Sequence, residues 1–243
     1  MIKIKFKKIR ILETGNNVGP WNMAVDEYLL YNCNEPILRI YGWSRPCVSM
    51  GYFQSGDEVN YKKCKEEKVD VVRRITGGGA VFHDMELTYS FVTKEFPQSI
   101  IESYQEISEI IIQALKKLGL DAEFAPLNDI TVNERKICGN AQTRKNNTLL
   151  QHGTILLEVD VEKMFSFLNV PIEKISDKKI SDVKNRVAGI SKEFDLVSDV
   201  LKNSTCDVFG CELEPYSLSQ KELESCQKLA DEKYSTQSWT FRR

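Results

Sequence analysis

The stretch Val71-Val72-Arg73-Arg74-Ile75-Thr76-Gly77-Gly78-Gly79-Ala80-Val81-Phe82-His83-Asp84 decides how the rest of the chain is read. β-Branched residues run into two arginines, three glycines follow, and an apolar run closes on His-Asp. The valines predict a strand. The glycines free the backbone for otherwise forbidden angles and leave no side chains between it and a ligand. Successive N–H groups in such a loop form an anion-binding concavity, and Arg73 and Arg74 place positive charge beside it. No Gly-Lys-Ser/Thr closes the loop, so it is not a Walker loop. An apolar strand pattern rather than a helix follows it, so it is not a dinucleotide fingerprint either. The stretch reads as a site for a phosphate or a carboxylate.

The composition fits an ordinary globular chain large enough for a proper core: 243 residues, 42% hydrophobic and 28% charged. With 33 basic and 35 acidic residues, no whole-protein field points to nucleic acid. No apolar run reaches membrane-spanning length, and Met1 to Phe6 lacks a secretory apolar core. Seven scattered cysteines without a Cys-x-x-Cys pair read as reduced thiols in a cytoplasm, mostly small buried residues.

Outward from the loop, hydrophobic periodicity predicts the elements. Residues 2–12 alternate like a half-buried strand, and Pro20 opens a helix through Cys33. Residues 36–43 and 46–53 read as two strands joined at Ser44-Arg45, 60–67 as a charged helix, and 79–83 and 87–93 as strands. Ile100 to Leu118 is the clearest amphipathic helix, ended by Gly119. Strands follow at 121–125, 129–133, 136–143 and 148–158, with a turn at Asn133-Glu134. From about 160 the pattern is mainly helical: 160–168, 179–186, 192–205 and 218–233. Early strands with inserted helices and a helical C-terminal part predict an α+β fold.

Further stretches hold residues suited to chemistry: Trp21-Asn22-Met23-Ala24-Val25-Asp26-Glu27, Ser49 to Gln54, Asn128-Asp129, Arg135-Lys136, Gly139 to Arg144 and Gln151-His152-Gly153-Thr154. Taken singly each has an ordinary structural account. Asn-Asp is a common turn, and a lone histidine such as His83 or His152 is more often a satisfied core residue. Together, a glycine-lined backbone, two arginines, a strand-borne lysine and a carboxylate suit a nucleoside triphosphate with magnesium.

The segment from Arg73 to Asp84 resembles the signature of the lipoate-protein ligase, octanoyltransferase and biotin ligase superfamily. Leu38 to Tyr41, Gly51 to Gln54, Asn128-Asp129-Ile130, Arg135 to Gly139, His152-Gly153-Thr154 and Lys178 through Val187 resemble its lipoate-ligase branch. The resemblance runs across nearly the whole chain. It implies the biotin/lipoate ligase catalytic fold (class II synthetase-like), a mixed, mostly antiparallel sheet flanked by helices, in a single catalytic domain over 1–243. It also implies a two-step reaction: lipoate and ATP give lipoyl-adenylate, and a lysine of an acceptor domain then takes the acyl group. Lys136 would be catalytic. Arg74, Gly79, Ala80, Val81, Phe82, Asn128 and Asp129 would join it around ATP and the adenylate, with Asp129 holding Mg2+. Gly77, Gly78, His83, Gly139, Ala141 and His152 would join it around lipoate. The implied acceptors are lipoyl domains of 2-oxoacid dehydrogenases or the glycine-cleavage H protein. With no C-terminal accessory domain in view, the resemblance implies either a separate accessory chain or catalysis by this domain alone.

Other stretches resemble the octanoyltransferase branch at least as well: Trp21 to Glu27, Tyr41-Gly42-Trp43, Glu86 to Ser90 and Ala141 to Arg144. That branch works through a cysteine thioester, and the expected region, Gly119 to Phe124, holds no cysteine. Cys138, two residues past Lys136 on a strand, is expected on the lysine's own face, as a relocated nucleophile or a buried small residue. The expectation from sequence is therefore the ligase, with octanoyl transfer as the alternative and a non-catalytic nucleotide- or acyl-binding module as an alternative of another class.

Overall fold

A computed structural model describes residues 4–169 and 186–242. The elements in chain order are β1 (Lys8–Asn17), α1 (Gly19–Asn32), β2 (Ile37–Trp43), β3 (Cys47–Met50), α2 (Tyr61–Glu66), β4 (Asp70–Arg73), β5 (Val81–His83), β6 (Glu86–Thr93) and α3 (Ile100–Lys117). There follow β7 (Ala122–Ala125), β8 (Asp129–Val132), β9 (Arg135–Lys145), β10 (Thr148–Leu156), α4 (Val161–Ser166), α5 (Phe194–Phe209), β11 (Glu212–Tyr216), α6 (Gln220–Leu229) and α7 (Gln237–Thr240).

Among the described residues the strands form an eight-stranded sheet, β11-β1-β2-β6-β10-β9-β8-β7, and a three-stranded sheet, β4-β3-β5. Only β11-β1-β2 is parallel in the large sheet; the pairings from β2 to β7 are antiparallel. The α+β, mostly antiparallel expectation holds. One face of the large sheet packs Tyr89 and Phe91 against α3 and α5 in a core that includes Ile107, Ile111, Leu201 and Phe209. The other face receives α1 through Val25, Leu29 and Leu30, against Leu12, Ile37, Val92 and Leu150. α3 is amphipathic as its spacing predicts. Its N-cap Ser99 accepts from the Glu102 N–H, and Gly119 follows its C-cap with φ +82°.

Several expectations are corrected. The first strand begins at Lys8 rather than residue 2; Ile4 and Phe6 still bury their side chains, so the alternation is real but the ladder starts later. The two strands joined at Ser44-Arg45 are present, the second shortened to Cys47–Met50, but they enter different sheets. β2 pairs with β1 and β6, while β3 lies between β4 and β5 in the small sheet, because both segments are buried on both faces and each needs its own neighbours. The C-terminal part is not only helical: β11 pairs in parallel with β1. The expected helix over 179–186 lies almost wholly outside the described residues.

This arrangement puts the glycine loop where a ligand can use it. β4 and β5 flank β3, so residues 74–80 must arch across its end. The arch passes so close to Gly51 that a Cβ there would come within 1.8 Å of the Gly78 carbonyl oxygen. Gly78 itself has φ +96°, a region that side chains disfavour.

Candidate active site

Between the loop and the large sheet lies a cavity of about 390 Å3. The structure brings the expected site residues to it almost as a set: Arg74, Gly77 through His83, Asn128, Lys136, Gly139, Ala141 and His152 all line it. Asp129 stands behind Lys136 and pairs with it, Oδ1 to Nζ at 2.7 Å, with the two side chains 30% and 40% exposed. Val81 and Phe82 are half-buried, while Val72 belongs to the core and not to the cavity wall.

A bulge aims the lysine. Thr131 pairs with Lys136 and Ile130 with Cys138, so one step on β8 spans two on β9 and Ile137 is the extra residue. That residue inverts the alternation. Lys136 faces the cavity, where a Cβ on Gly139 would lie 2.8 Å from its Cε and Nζ. Cys138 faces the opposite side, fully buried in the core with Tyr89 and Ile155. The expectation that the thiol shares the lysine's face is thus overturned. Burial also pushes the Cys138 thiol far up, against the lowering pull of the Lys136 charge. Among the described residues no cysteine lines the cavity.

The loop is held from behind. Arg74 Nη2 donates to the carbonyls of Gly77 and Gly79, each at 2.8 Å, Nη1 to Ser49 O at 2.7 Å and Ser49 Oγ at 3.2 Å, and Nε to Thr76 Oγ1 at 3.1 Å. These contacts occupy all five guanidinium N–H groups. Arg74 therefore anchors the loop rather than reaching out to a phosphate. Burial lowers its pKa to about 10. With the Gly77 and Gly79 carbonyls turned to the guanidinium, the Gly77, Gly78 and Gly79 N–H groups have no partner among the described residues. Those donors remain for an anion. Arg73, by contrast, is buried and donates to the Gly51, Gln54 and Thr240 carbonyls, tying the C-terminal segment to this region.

Two buried polar chains end at this anchor; of their members sequence reasoning assigned a site role to His83 and His152 and quoted the others only within longer stretches. Glu86 Oε1 lies 2.6 Å from His83 Nδ1, whose Nε2 lies 2.7 Å from Ser49 Oγ. Glu86 also accepts from Trp43 Nε1 and Thr88 Oγ1, and Trp43 stacks on His83 with centroids 4.0 Å apart. On the other side Asp26 Oδ2 lies 2.9 Å from His152 Nδ1, and His152 Nε2 lies 2.7 Å from Thr76 Oγ1. Burial would raise the Asp26 carboxyl, but Arg39 at 2.7 Å and His152 outweigh it and hold it low. Burial lowers His152. A signal for Asp26 existed: it is a carboxylate set at helical spacing among the apolar residues Met23, Val25, Leu29 and Leu30.

For magnesium the residues do not fit a site of their own. Asp129 is already paired with Lys136, and no cluster of three His, Cys, Asp or Glu side chains that could hold a metal occurs among the described residues. No helix of the described residues is long and apolar enough to cross a membrane.

The family model for the lipoyl protein ligase A/B catalytic domain matches residues 19–210, which takes in the loop, the bulge and both histidines. The chain belongs to that family. An octanoyltransferase, LipM, of Bacillus subtilis is 35% identical over 96% of this chain and 98% of its own length. A LipM of Carboxydothermus hydrogenoformans is 36% identical over 92% and 95%. The B. subtilis alignment runs over 272 positions although this family member has 243 residues, so that relative carries sequence with no counterpart here. Among solved structures, a bipartite lipoate-protein ligase from Thermoplasma acidophilum superposes with TM-score 0.88 at 30% identity, covering 98% of this chain and 96% of that one. Lipoate-protein ligase A bound with ATP gives 0.82 at 29%, covering 97% and 98%. The sequence relatives thus carry the name expected only as the alternative, while the structural neighbours carry the name of the main expectation.

Proposed function

We propose that this chain transfers an octanoyl or lipoyl group to the ε-amine of one lysine on a lipoyl domain or a protein built like one. The observation that carries the reading is Lys136. It is a compact cation turned by a bulge into a cavity whose wall also carries apolar side chains and the glycine loop, and it is steadied by Asp129. When an amine attacks an acyl carbonyl, negative charge builds on the carbonyl oxygen, and a preorganised ammonium there lowers the barrier. Met23, Leu156 and Met164 line the same cavity and give the alkyl chain apolar surface.

The names of the sequence relatives favour octanoyl transfer as the donor chemistry, reversing the order expected from the residues. In this cavity the octanoyl group would pass directly from the carrier's thioester to the acceptor amine, since no described thiol faces it. One observation favours a second reading, ATP-dependent ligation. The unpartnered loop amides in front of Arg74 form an anion cradle that a thioester donor does not need and an acyl-adenylate phosphate does. In that case ATP supplies the activated acyl group, and the loop and Lys136 bind and orient it.

One experiment separates these readings. The chain is incubated with a lipoyl domain and either octanoyl-acyl carrier protein without ATP, or octanoate or lipoate with ATP. Acylation of the domain, read by mass spectrometry, is expected in the first mixture for transfer, and in the second with pyrophosphate release for ligation. No acylation in either, with the domain's lysine intact and the chain folded, overturns the proposal.

A further inference from the structure

Arg74 is a buried cation with no carboxylate against it among the described residues. Every oxygen it touches is neutral, although a buried charge is costly unless matched. Behind each of the two hydroxyls it touches stands one of the chain's two histidines. Behind each histidine stands a buried carboxylate: Glu86 by way of His83 and Ser49, Asp26 by way of His152 and Thr76. Two chains of the same order, carboxylate, imidazole, hydroxyl, thus converge on one guanidinium from different parts of the fold.

We propose that His83 and His152 are positioning residues for Arg74 and, through it, for the glycine loop. Hydrogen-bond direction carries the argument. A carboxylate only accepts, so each ring keeps its proton on Nδ1 and offers the Nε2 lone pair to the hydroxyl. Ser49 and Thr76 then give their protons to the rings and have only lone pairs left for Arg74, which only donates. Neither hydroxyl has another hydrogen-bond partner among the described residues. A ring with its proton on Nε2 would set two donors against one hydroxyl and leave the hydroxyl proton without an acceptor. A carboxylate placed directly on Arg74 would also fix it, but would cancel the charge beside the loop. The interposed imidazole and hydroxyl give the direction and keep the charges apart. The charged groups facing His152 are Asp26, with Arg39 beyond it, Arg74 and His83. His83 faces Glu86 and the Trp43 ring, with Arg74 one hydroxyl away.

The test does not depend on activity. With two histidines in the chain, the ring-nitrogen NMR spectrum of the full protein reads both directly. Each ring is expected to carry its proton on Nδ1 and none on Nε2; a proton on Nε2 at either position overturns the proposal. A matched pair of variants supplies the second readout. Thr76→Val removes the hydroxyl at nearly constant shape, and Thr76→Ser restores it. The Gly77, Gly78 and Gly79 amide signals are expected to broaden or exchange faster in folded Thr76→Val and to return to native in Thr76→Ser. Native loop signals in Thr76→Val, or equal disturbance in both variants, overturn it. If the acyl transfer proposed above is correct, on which this arm alone rests, Thr76→Val slows it by about tenfold or more with little change in acceptor KM, and Thr76→Ser recovers it. A wild-type chain inactive in transfer would count against the proposed function alone, and the NMR readouts would still decide this inference.

Discussion

The two faces of the large sheet both pack apolar side chains against helices, but the second also buries the Asp26–Arg39–His152 cluster. On one, Phe6 and Phe91 pack against each other and against Phe209 of α5 with ring centroids 5.1 to 5.9 Å apart. On the other, Arg39 of β2, Ser90 of β6 and His152 of β10 meet Asp26 from α1 and are almost wholly buried. The apolar face follows from area removed from water and tolerates any well-filled arrangement of similar volume. The polar cluster of the second face, set beside Leu12, Val92 and Leu150, is a weak source of stability, since buried charges repay little beyond their own desolvation. Its worth lies in direction: it fixes which atoms point at the loop. The comparison separates what keeps the chain folded from what aims the cavity.

Breaking the aiming side at its tip should have the largest effect. Lys136→Ala is expected to lower acyl transfer by about a thousandfold while the melting temperature stays near native, because the lysine and its partner Asp129 are both partly exposed. Wild-type turnover by that variant would remove Lys136 from the reaction. Breaking the other side should do the reverse. Phe209→Ala is expected to cost about 3–5 kcal/mol in denaturant unfolding, with normal transfer per folded molecule. A loss of turnover in the molecules still folded would mean that the two faces are not separable.

Acid sharpens the contrast. The Asp26 carboxyl is held below its ordinary value of 3.8 in the fold. Its contribution is therefore present above that unfolded value and is lost as pH falls through the folded one. Wild-type stability should drop more steeply below about pH 4 than that of Asp26→Asn, and identical acid limbs in unfolding titrations would contradict this. Gly139→Ala puts a methyl group 2.8 Å from the Lys136 Cε and Nζ, so that the ammonium must move. It should cut transfer by about tenfold to a hundredfold without unfolding the chain, and an unchanged rate would show that the lysine works from another position. The smallest effect is expected at Cys138, buried on the apolar face. Cys138→Ala should keep transfer within about twofold and cost about 1 kcal/mol. Abolished transfer in a folded Cys138→Ala protein would restore the thiol to the mechanism.

These contrasts also show how far the sequence could be read. The three glycines with Arg74, and Lys136 after the Asn133-Glu134 turn, were legible because their chemistry is local to a short run of residues. The α+β class and α3 followed from periodicity and caps. The bulge was not legible. Nothing in Arg135 to Cys138 announces that Ile137 is the extra residue, and that single residue decides which of Lys136 and Cys138 meets the cavity. Glu86 and Asp26 escaped for a related reason. Asp26 depends on a ring from β10, a long-range pairing that leaves no spacing to read, while Glu86 pairs with the nearby His83 but reaches Arg74 only through Ser49 of β3. The separation of β2 from β3 was lost because two adjacent apolar runs carry the same pattern whether they form a hairpin or enter different sheets.

The pairing of β11 with β1 bears on how the chain is made. Lys8 waits for Glu212, so one side of β1 has no ladder partner until almost all of the described chain has been synthesised. Contacts of such wide sequence separation form late and slow folding, and an open strand edge is a template for unwanted pairing in the meantime. A nascent or truncated chain ending before Glu212 would hold the loop, the lysine and both histidines yet present a raw edge at β1. Aggregation during synthesis, rather than any defect of the cavity, is the hazard that such a chain would face first.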